Sequence, residues 1–189
     1  PFERYRPHYA FWCKDRGYLA DYVCGDYKDW SVRPNMVFAT SLPFPIVHEK
    51  IRQLILEKIQ KELLTSRGLR TLSPTHPDYK GTYFGSQTER DQAYHQGTVW
   101  PWLLGHFVEG YLKIYGSSGL SFVKKIYTSF ESELKEKCIG TISEVFDGDP
   151  PHKSGGAISQ AWSVGEILRI KKLIEKVERE ENSVNITGK

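Results

Sequence analysis

The chain has 189 residues, enough for one domain with a substantial core. With 39% hydrophobic and 13% aromatic residues it has the composition of a globular protein, and no apolar run approaches the roughly 18 residues of a membrane helix, so no membrane partner is expected. The net charge of +3 is small, and the Lys and Arg between Lys171 and Glu181 are interleaved with Glu, so no nucleic-acid partner is expected either.

Cys13, Cys24 and Cys138 are odd in number and lack CxxC spacing, which implies neither a disulfide framework nor a zinc site. Reduced thiols point to a cytoplasmic location, and no metal or cofactor is expected. Pro1-Phe2-Glu3-Arg4 has no initiator Met, capping signal or signal-peptide core, so the chain is expected to open inside a structural element, as a fragment. Asn185-Ile186-Thr187 matches a glycosylation sequon and, without a secretory signal, reads as chance.

In chain order, residues 2–14 read as the last turns of a helix. Residues 17–23 alternate apolar and polar side chains as a short strand or extended loop, and Gly25-Asp26 turns the chain. After Pro34, a short helix over 35–42 is closed by Pro43 and Pro45. Residues 46–64 form the clearest helix: Ile51, Leu54, Ile55, Ile59 and Leu63 recur at spacings of three and four, opposite Glu49, Lys50, Glu57, Lys58 and Lys61. A connection of about thirty residues follows, over 65–97, punctuated by glycine and proline; unstructured segments of this length are often functional.

From Thr98 the pattern turns helical again through Tyr115, with Pro101 in the first turn and apolar residues almost all round, so this helix should be surrounded. Gly116 supplies a stop and the serines after it a cap for a one-sided helix over 120–138, in which Val123, Ile126, Tyr127, Phe130 and Leu134 form the stripe. Residues 140–158 are irregular. Ser159 then caps a final helix, apolar to about Ile170 and charged beyond; residues 181–189 read as a frayed tail after a domain spanning 1–180. One-sided and all-round apolar helices alternate, as in two concentric layers traversed in turn. This suits an all-α fold of the α/α toroid type with long pocket-lining loops, and a helical bundle is the competitor.

Two stretches carry candidate chemistry. Asp91-Gln92-Ala93-Tyr94-His95-Gln96-Gly97-Thr98-Val99-Trp100-Pro101-Trp102 gathers amide, imidazole and aromatic groups at the mouth of an apolar run. Sugars require this mixture, because their C–H faces stack on rings while their hydroxyls both donate and accept. His95 is open to three readings: general base, sugar ligand or satisfied core imidazole. The second stretch, 141–152, sets Glu144, Asp147 and Asp149 in one loop. The aspartates read as turn residues bonding local amides, whereas Glu144, between Ile142 and Val145-Phe146, sits awkwardly for a solvated carboxylate. Asp21, Asp26 and Asp29 lie near Arg33 in sequence and read as its partners.

Taken together, Val32-Arg33-Pro34-Asn35, Arg67-Gly68-Leu69-Arg70-Thr71-Leu72-Ser73-Pro74, Tyr79-Lys80-Gly81-Thr82-Tyr83, the 94–102 core, the 144–152 loop and Gln160-Ala161-Trp162-Ser163 resemble the glycogen debranching enzyme family. The likeness is to its C-terminal amylo-α-1,6-glucosidase domain and runs from about Phe11 to Arg169 in the expected order. It implies the C-terminal half of an (α/α)6 toroid of the six-hairpin glycosidase kind, and inverting hydrolysis that frees glucose from α-1,6 branch stubs of glycogen or another branched α-glucan. In such chemistry an acid protonates the leaving oxygen while a base activates water across the ring, with about 6.5–9.5 Å between the two carboxyl groups.

The resemblance puts Glu144 in the position of the general base. It implies Tyr94, His95, Gln96, Trp100 and Trp102 as the glucose pocket, with Arg33, Asn35, Arg90, Asp91, Gln160 and Trp162 as further substrate-binding groups. The family's acid lies upstream of Pro1, so the N-terminal half of the barrel is an implied partner and the fragment alone is expected to be inactive. Met36 stands where the family usually has Gln. The alternatives are a noncatalytic carbohydrate-binding relative and a toroidal α-glycosidase acting on a disaccharide.

Overall fold

The computed structural model describes residues 10–137 and 139–187, with side chains as far as Ser183. At its centre is the Leu103–Tyr115 helix, which packs against the Phe38–Ser41, Glu49–Glu62 and Ala161–Thr187 helices. Leu103, Leu104, Phe107, Val108 and Leu112 are buried, and only Lys113 on this helix is exposed, as its all-round apolar pattern predicts. The neighbouring helices are one-sided. Ile55, Leu56 and Ile59 on the Glu49–Glu62 helix, and Ile167, Ile170 and Ile174 on the Ala161–Thr187 helix, face the same core. Ile55 is fully enclosed, so Ile55→Val is expected to lower unfolding stability by about 0.5–1.5 kcal/mol in a denaturant titration.

Polar groups also link the long helices. Arg169 reaches Glu109 at 2.5 Å and Glu166 at 2.8 Å, and Lys113 reaches Glu109 at 2.9 Å. Burial pushes the Glu109 carboxyl up, but the hydrogen bonds and charges of Lys113 and Arg169 more than offset this and hold it below its ordinary range. The central helix is thereby clamped to the Ala161–Thr187 helix through Arg169.

The all-α expectation needs correcting, because short strands accompany the helices. β1 (Trp12–Cys13) pairs with β2 (Tyr18–Leu19), and β3 (Val23–Cys24) with β4 (Tyr27–Lys28), around the Gly25-Asp26 turn. β5 (Leu69–Arg70), β6 (Val99–Trp100), β7 (Val145–Phe146) and β8 (Ser154–Gly155) form an antiparallel sheet in that order. Leu69 faces Trp100, Val99 faces Phe146, and Phe146 faces Ser154. Val99 and Trp100 were expected in a helical first turn. They form a strand instead, because β5 and β7 supply the ladder partners that a β-branched and an aromatic residue favour. The helix begins beyond Pro101, at Leu103.

Other boundaries also move. Ala10 and Phe11 are helical as expected, but the helix ends there because Trp12–Cys13 is a strand, and residues 2–9 of that expectation lie outside the described residues. The short helix after Pro34 is a 3₁₀ turn, Pro34–Val37, running into Phe38–Ser41. The helix expected over 120–138 stops at Thr128, where the Thr128 hydroxyl turns back on the Lys124 and Lys125 carbonyls and Arg67 binds the Ser129 carbonyl. Phe130 remains fully buried beyond that break, and Glu133 is buried with a hydrogen bond from Ser143. Gly116 ends its helix as expected, but Ser118 bonds back to Tyr115 and Ser159 pairs with Thr141. The last helix continues through Thr187, past the Glu181 at which a tail was expected. Cys13 and Cys24 are free thiols; Cys138 and the Asn185 side chain lie outside the described residues. No helix among the described residues is long and apolar enough to cross a membrane.

Candidate active site

The four-stranded sheet delivers the site. β6 carries Trp100, and the residue preceding β7, its sheet neighbour, is Glu144. Glu144 donates its backbone N–H to the Ala157 carbonyl, and its side chain folds back so that Oε2 accepts the Ala157 N–H at 2.9 Å. The other oxygen, Oε1, accepts a short hydrogen bond from the Tyr94 hydroxyl. Burial and the adjacent Glu144 carboxylate raise the Tyr94 pKa well above its ordinary value, so the phenol stays protonated and remains a donor. Each carboxylate oxygen thus has one fixed partner and keeps a further lone pair for a water or sugar hydroxyl.

This carboxylate adjoins a cluster of rings. Tyr94 contacts Tyr83 at 5.6 Å between centroids, His95 at 4.9 Å and Trp100 at 4.8 Å, while His95 stacks on Trp100 at an interplanar angle of 9°. Trp162, from the first turn of the last helix, stacks on Trp102 and meets Trp100 edge to face. Trp100, Trp102, Trp162, His95 and Asn35 line a cavity of about 190 Å³. Trp162 is 46% exposed, an unusual position for a large indole that a stacking ligand would cover.

Arg33 organises the turn beneath the rings. Its guanidinium donates to the carbonyls of Thr71 and His95 and to the Gln96 side-chain oxygen at 2.8 Å, and it lies 4.0 Å from the Asp21 carboxylate. Asp21 in turn accepts from Asn35 at 2.7 Å. Partial burial, with a smaller contribution from Arg33, depresses the His95 pKa. His95 is therefore neutral at neutral pH, able to donate from one ring nitrogen and accept at the other. A depressed pKa contributes stability above the ordinary His value of about 6.5 that is lost as pH falls through the lower folded value. The wild-type unfolding midpoint is accordingly expected to fall below pH 6.5 more steeply than that of His95→Gln in a thermal scan series.

The amylo-alpha-1,6-glucosidase family model matches residues 3–169. The chain belongs to that family. It is 33% identical to the glycogen debranching enzyme of Saccharomyces cerevisiae over 93 residues, covering 45% of this chain and 6% of that protein. Among solved structures, it is similar to neutral trehalase from Saccharomyces cerevisiae, with a TM-score of 0.61 and 15% identity over 93% of this chain and 30% of the trehalase. At this identity the likeness bears on the fold alone: the neighbour is an (α/α)6 toroid, and this chain is helix-rich with the added strands described above. The chain spans only a small part of either relative.

Within the chain, Tyr94, His95, Gln96, Trp100, Trp102, Trp162, Arg33, Asn35 and Glu144 come together by direct contacts or around shared cavities. Glu144 is hydrogen-bonded to the 91–102 stretch through Tyr94. Asp91 lines a separate polar cavity, Arg90 donates to the Gly85 carbonyl, and the Gln160 backbone donates to Ile142. Arg90 and Gln160 border none of the cavities described here. Met36 is buried in the core and lines none of the cavities described here.

The carboxylates of Asp147 and Asp149 do not bond local amides, although their backbone carbonyls meet His152. Asp147 accepts the Tyr83 N–H and Asp149 the Tyr79 hydroxyl, pinning the 79–83 segment across the site. Burial and the bond to Asp149 push the Tyr79 phenol up to about 12. Sequence reasoning also missed Thr71, whose hydroxyl accepts from Gly97 and donates to Thr98, and Gly156, on which the Glu144 carboxylate rests. The Gly155-Gly156 pair beside an acidic loop was the available signal.

Proposed function

We propose that this chain supplies the base-bearing part of an inverting α-1,6-glucosidase acting on glycogen or a similarly branched α-glucan. Glu144 draws a proton from water, which attacks the anomeric carbon as the bond to the leaving oxygen breaks; the general acid comes from the part of the barrel outside this sequence. His95, the Gln96 amide and Asn35 hold hydroxyls, while Trp100, Trp102 and Trp162 offer apolar faces. The observation that carries this reading is the Glu144 carboxylate, fixed at both oxygens by Tyr94 and Ala157 beside an open aromatic cluster. Family membership supports the substrate class.

Inversion makes a stereochemical demand. When the full-length protein cleaves an α-1,6-branched limit dextrin, proton NMR should record β-glucose before mutarotation. First appearance of α-glucose would overturn inversion, and an absence of glucose would overturn the assigned activity.

A further inference from the structure

We infer that Glu133 is a positioning residue for the Glu144 carboxylate, acting through the Ser143 hydroxyl; this rests on the glycosidase reading above. Glu133 and Ser143 are each 2% exposed, and the Ser143 hydroxyl donates to Glu133 Oε1 at 3.0 Å. Ser143 immediately precedes Glu144 in the chain.

The first argument is cost. Among the described residues no Lys, Arg or His forms an ion pair with Glu133. Taking a carboxyl group out of water without a cation is unfavourable, and an apolar side chain of similar volume in its place is often neutral or stabilising. Packing beside Phe130 is therefore no reason for a Glu at this position. Its hydrogen bond to Ser143 is.

The second argument is geometry. The backbone on either side of Ser143 is held from one direction, the 157–160 segment: the Ile142 carbonyl accepts the Gln160 N–H at 3.0 Å, and the Glu144 N–H donates to the Ala157 carbonyl at 2.9 Å. Two bonds to one segment act as a hinge, and a third contact off that line stops the hinge from turning. The Ser143–Glu133 bond is that third contact. It holds residue 143 from the interior, while the side chain of residue 144 reaches the Tyr94 hydroxyl and the ring cluster.

The third argument is anchorage, since a prop is useful only if its far end is fixed. Arg67 donates to the Ser129 carbonyl and, at 2.9 Å, to the Ser132 hydroxyl, and the Ser129 hydroxyl donates to the Ser66 carbonyl at 2.8 Å. The Arg67 guanidinium also lies 5.9 Å from the ring centre of the buried Phe130. The same turn carries Gly68, where a Cβ would come within 2.5 Å of the Trp100 carbonyl oxygen. One turn, 66–68, thus braces both the segment that bears Glu133 and the strand that bears Trp100, so the base and the aromatic wall are set from a common point.

The test uses the full-length protein with two changes: the double variant Glu133→Met with Ser143→Ala, and Glu133→Gln. The double variant removes both buried polar groups and leaves neither without a partner, so packing alone predicts no loss of activity. Its kcat on a branched limit dextrin should nevertheless fall about ten-fold, with KM within about two-fold of wild type. This is less than the roughly 10²-fold of a 1 Å misplacement, because the Ala157 N–H still holds Oε2. Glu133→Gln keeps an acceptor for Ser143 and should retain kcat within about two-fold of wild type. A double variant with near wild-type kcat, a loss that falls equally on KM, or a ten-fold loss in Glu133→Gln would overturn the proposal. Ser143→Ala alone, which deletes only the donor oxygen, is read in the same way should the double variant not fold. A crystal structure of the variant gives a readout independent of turnover: the Glu144 carboxylate should be displaced by about 0.5 Å or more, and an unmoved carboxylate overturns the assignment. If the wild type releases no glucose, the glycosidase reading fails, and this displacement still decides whether Glu133 positions Glu144.

Discussion

Glu144→Gln in the full-length protein is expected to slow glucose release from a limit dextrin by about 10²–10⁴-fold, the usual contribution of a general base. The substitution is nearly isosteric, so its effect should be chemical. A Gln can keep its carbonyl on the Ala157 N–H and turn its NH₂ toward the Tyr94 oxygen, which can accept in place of donating. What it cannot do is take a proton from water. Initial rates at saturating dextrin, with a thermal unfolding midpoint as the control for folding, measure this directly. A variant with wild-type rate and wild-type midpoint removes Glu144 from the mechanism.

Gly156→Ala should produce the next largest loss, about 10²-fold in kcat, the scale expected for misplacing a reacting group by about 1 Å. An added Cβ would stand 2.5 Å from Glu144 Oε2 and 3.0 Å from its Cβ, so the carboxylate must leave the seat formed by the Ala157 amide. The backbone at Gly156, with φ of +68°, adds about 1–2 kcal/mol of strain for any residue bearing a Cβ. Gly140→Ala separates these effects, because Gly140 has φ of +77° with open space around its would-be Cβ. Comparable destabilisation in both variants, with the rate lost only in Gly156→Ala, is the expected pattern. Equal rates in the two would show that the carboxylate does not depend on this seat.

The helical skeleton was legible in the sequence because its signal is periodic and local. Ile51, Ile55 and Ile59 repeat every four residues, and the apolar run from Leu103 to Leu112 has no wet face to offer. The sheet was not legible, since two-residue strands are too short to show alternation. Val99-Trp100 becomes a strand only because Leu69-Arg70 and Phe146 arrive from elsewhere in the chain.

The site divides in the same way. The chemical inventory of 91–102 was readable as suited to a sugar, but its assignments depended on partners fifty or more residues away. Tyr94 was read as a sugar ligand and its hydroxyl is engaged with Glu144, while the carbonyl end of Gln96 is taken by Arg33, leaving its amide N–H groups to a ligand. Asp147 and Asp149 were read as local turn residues, and nothing near them in sequence announces the Tyr83 N–H and the Tyr79 hydroxyl.

The pinning of the 79–83 segment by Asp147 and Asp149 also bears on the order in which the molecule assembles. These bonds span 64 and 70 residues, and the Arg33 bonds to His95 and Gln96 span 62 and 63. Contacts so distant along the chain bear a large loop-closure cost before they return any stabilisation, which places them late in folding, after the helices have brought their ends together. A peptide excised around 91–102 would keep its tyrosine, histidine and tryptophans and lose the arrangement that gives them a purpose. The proposed sugar site is acquired only once these distant segments meet.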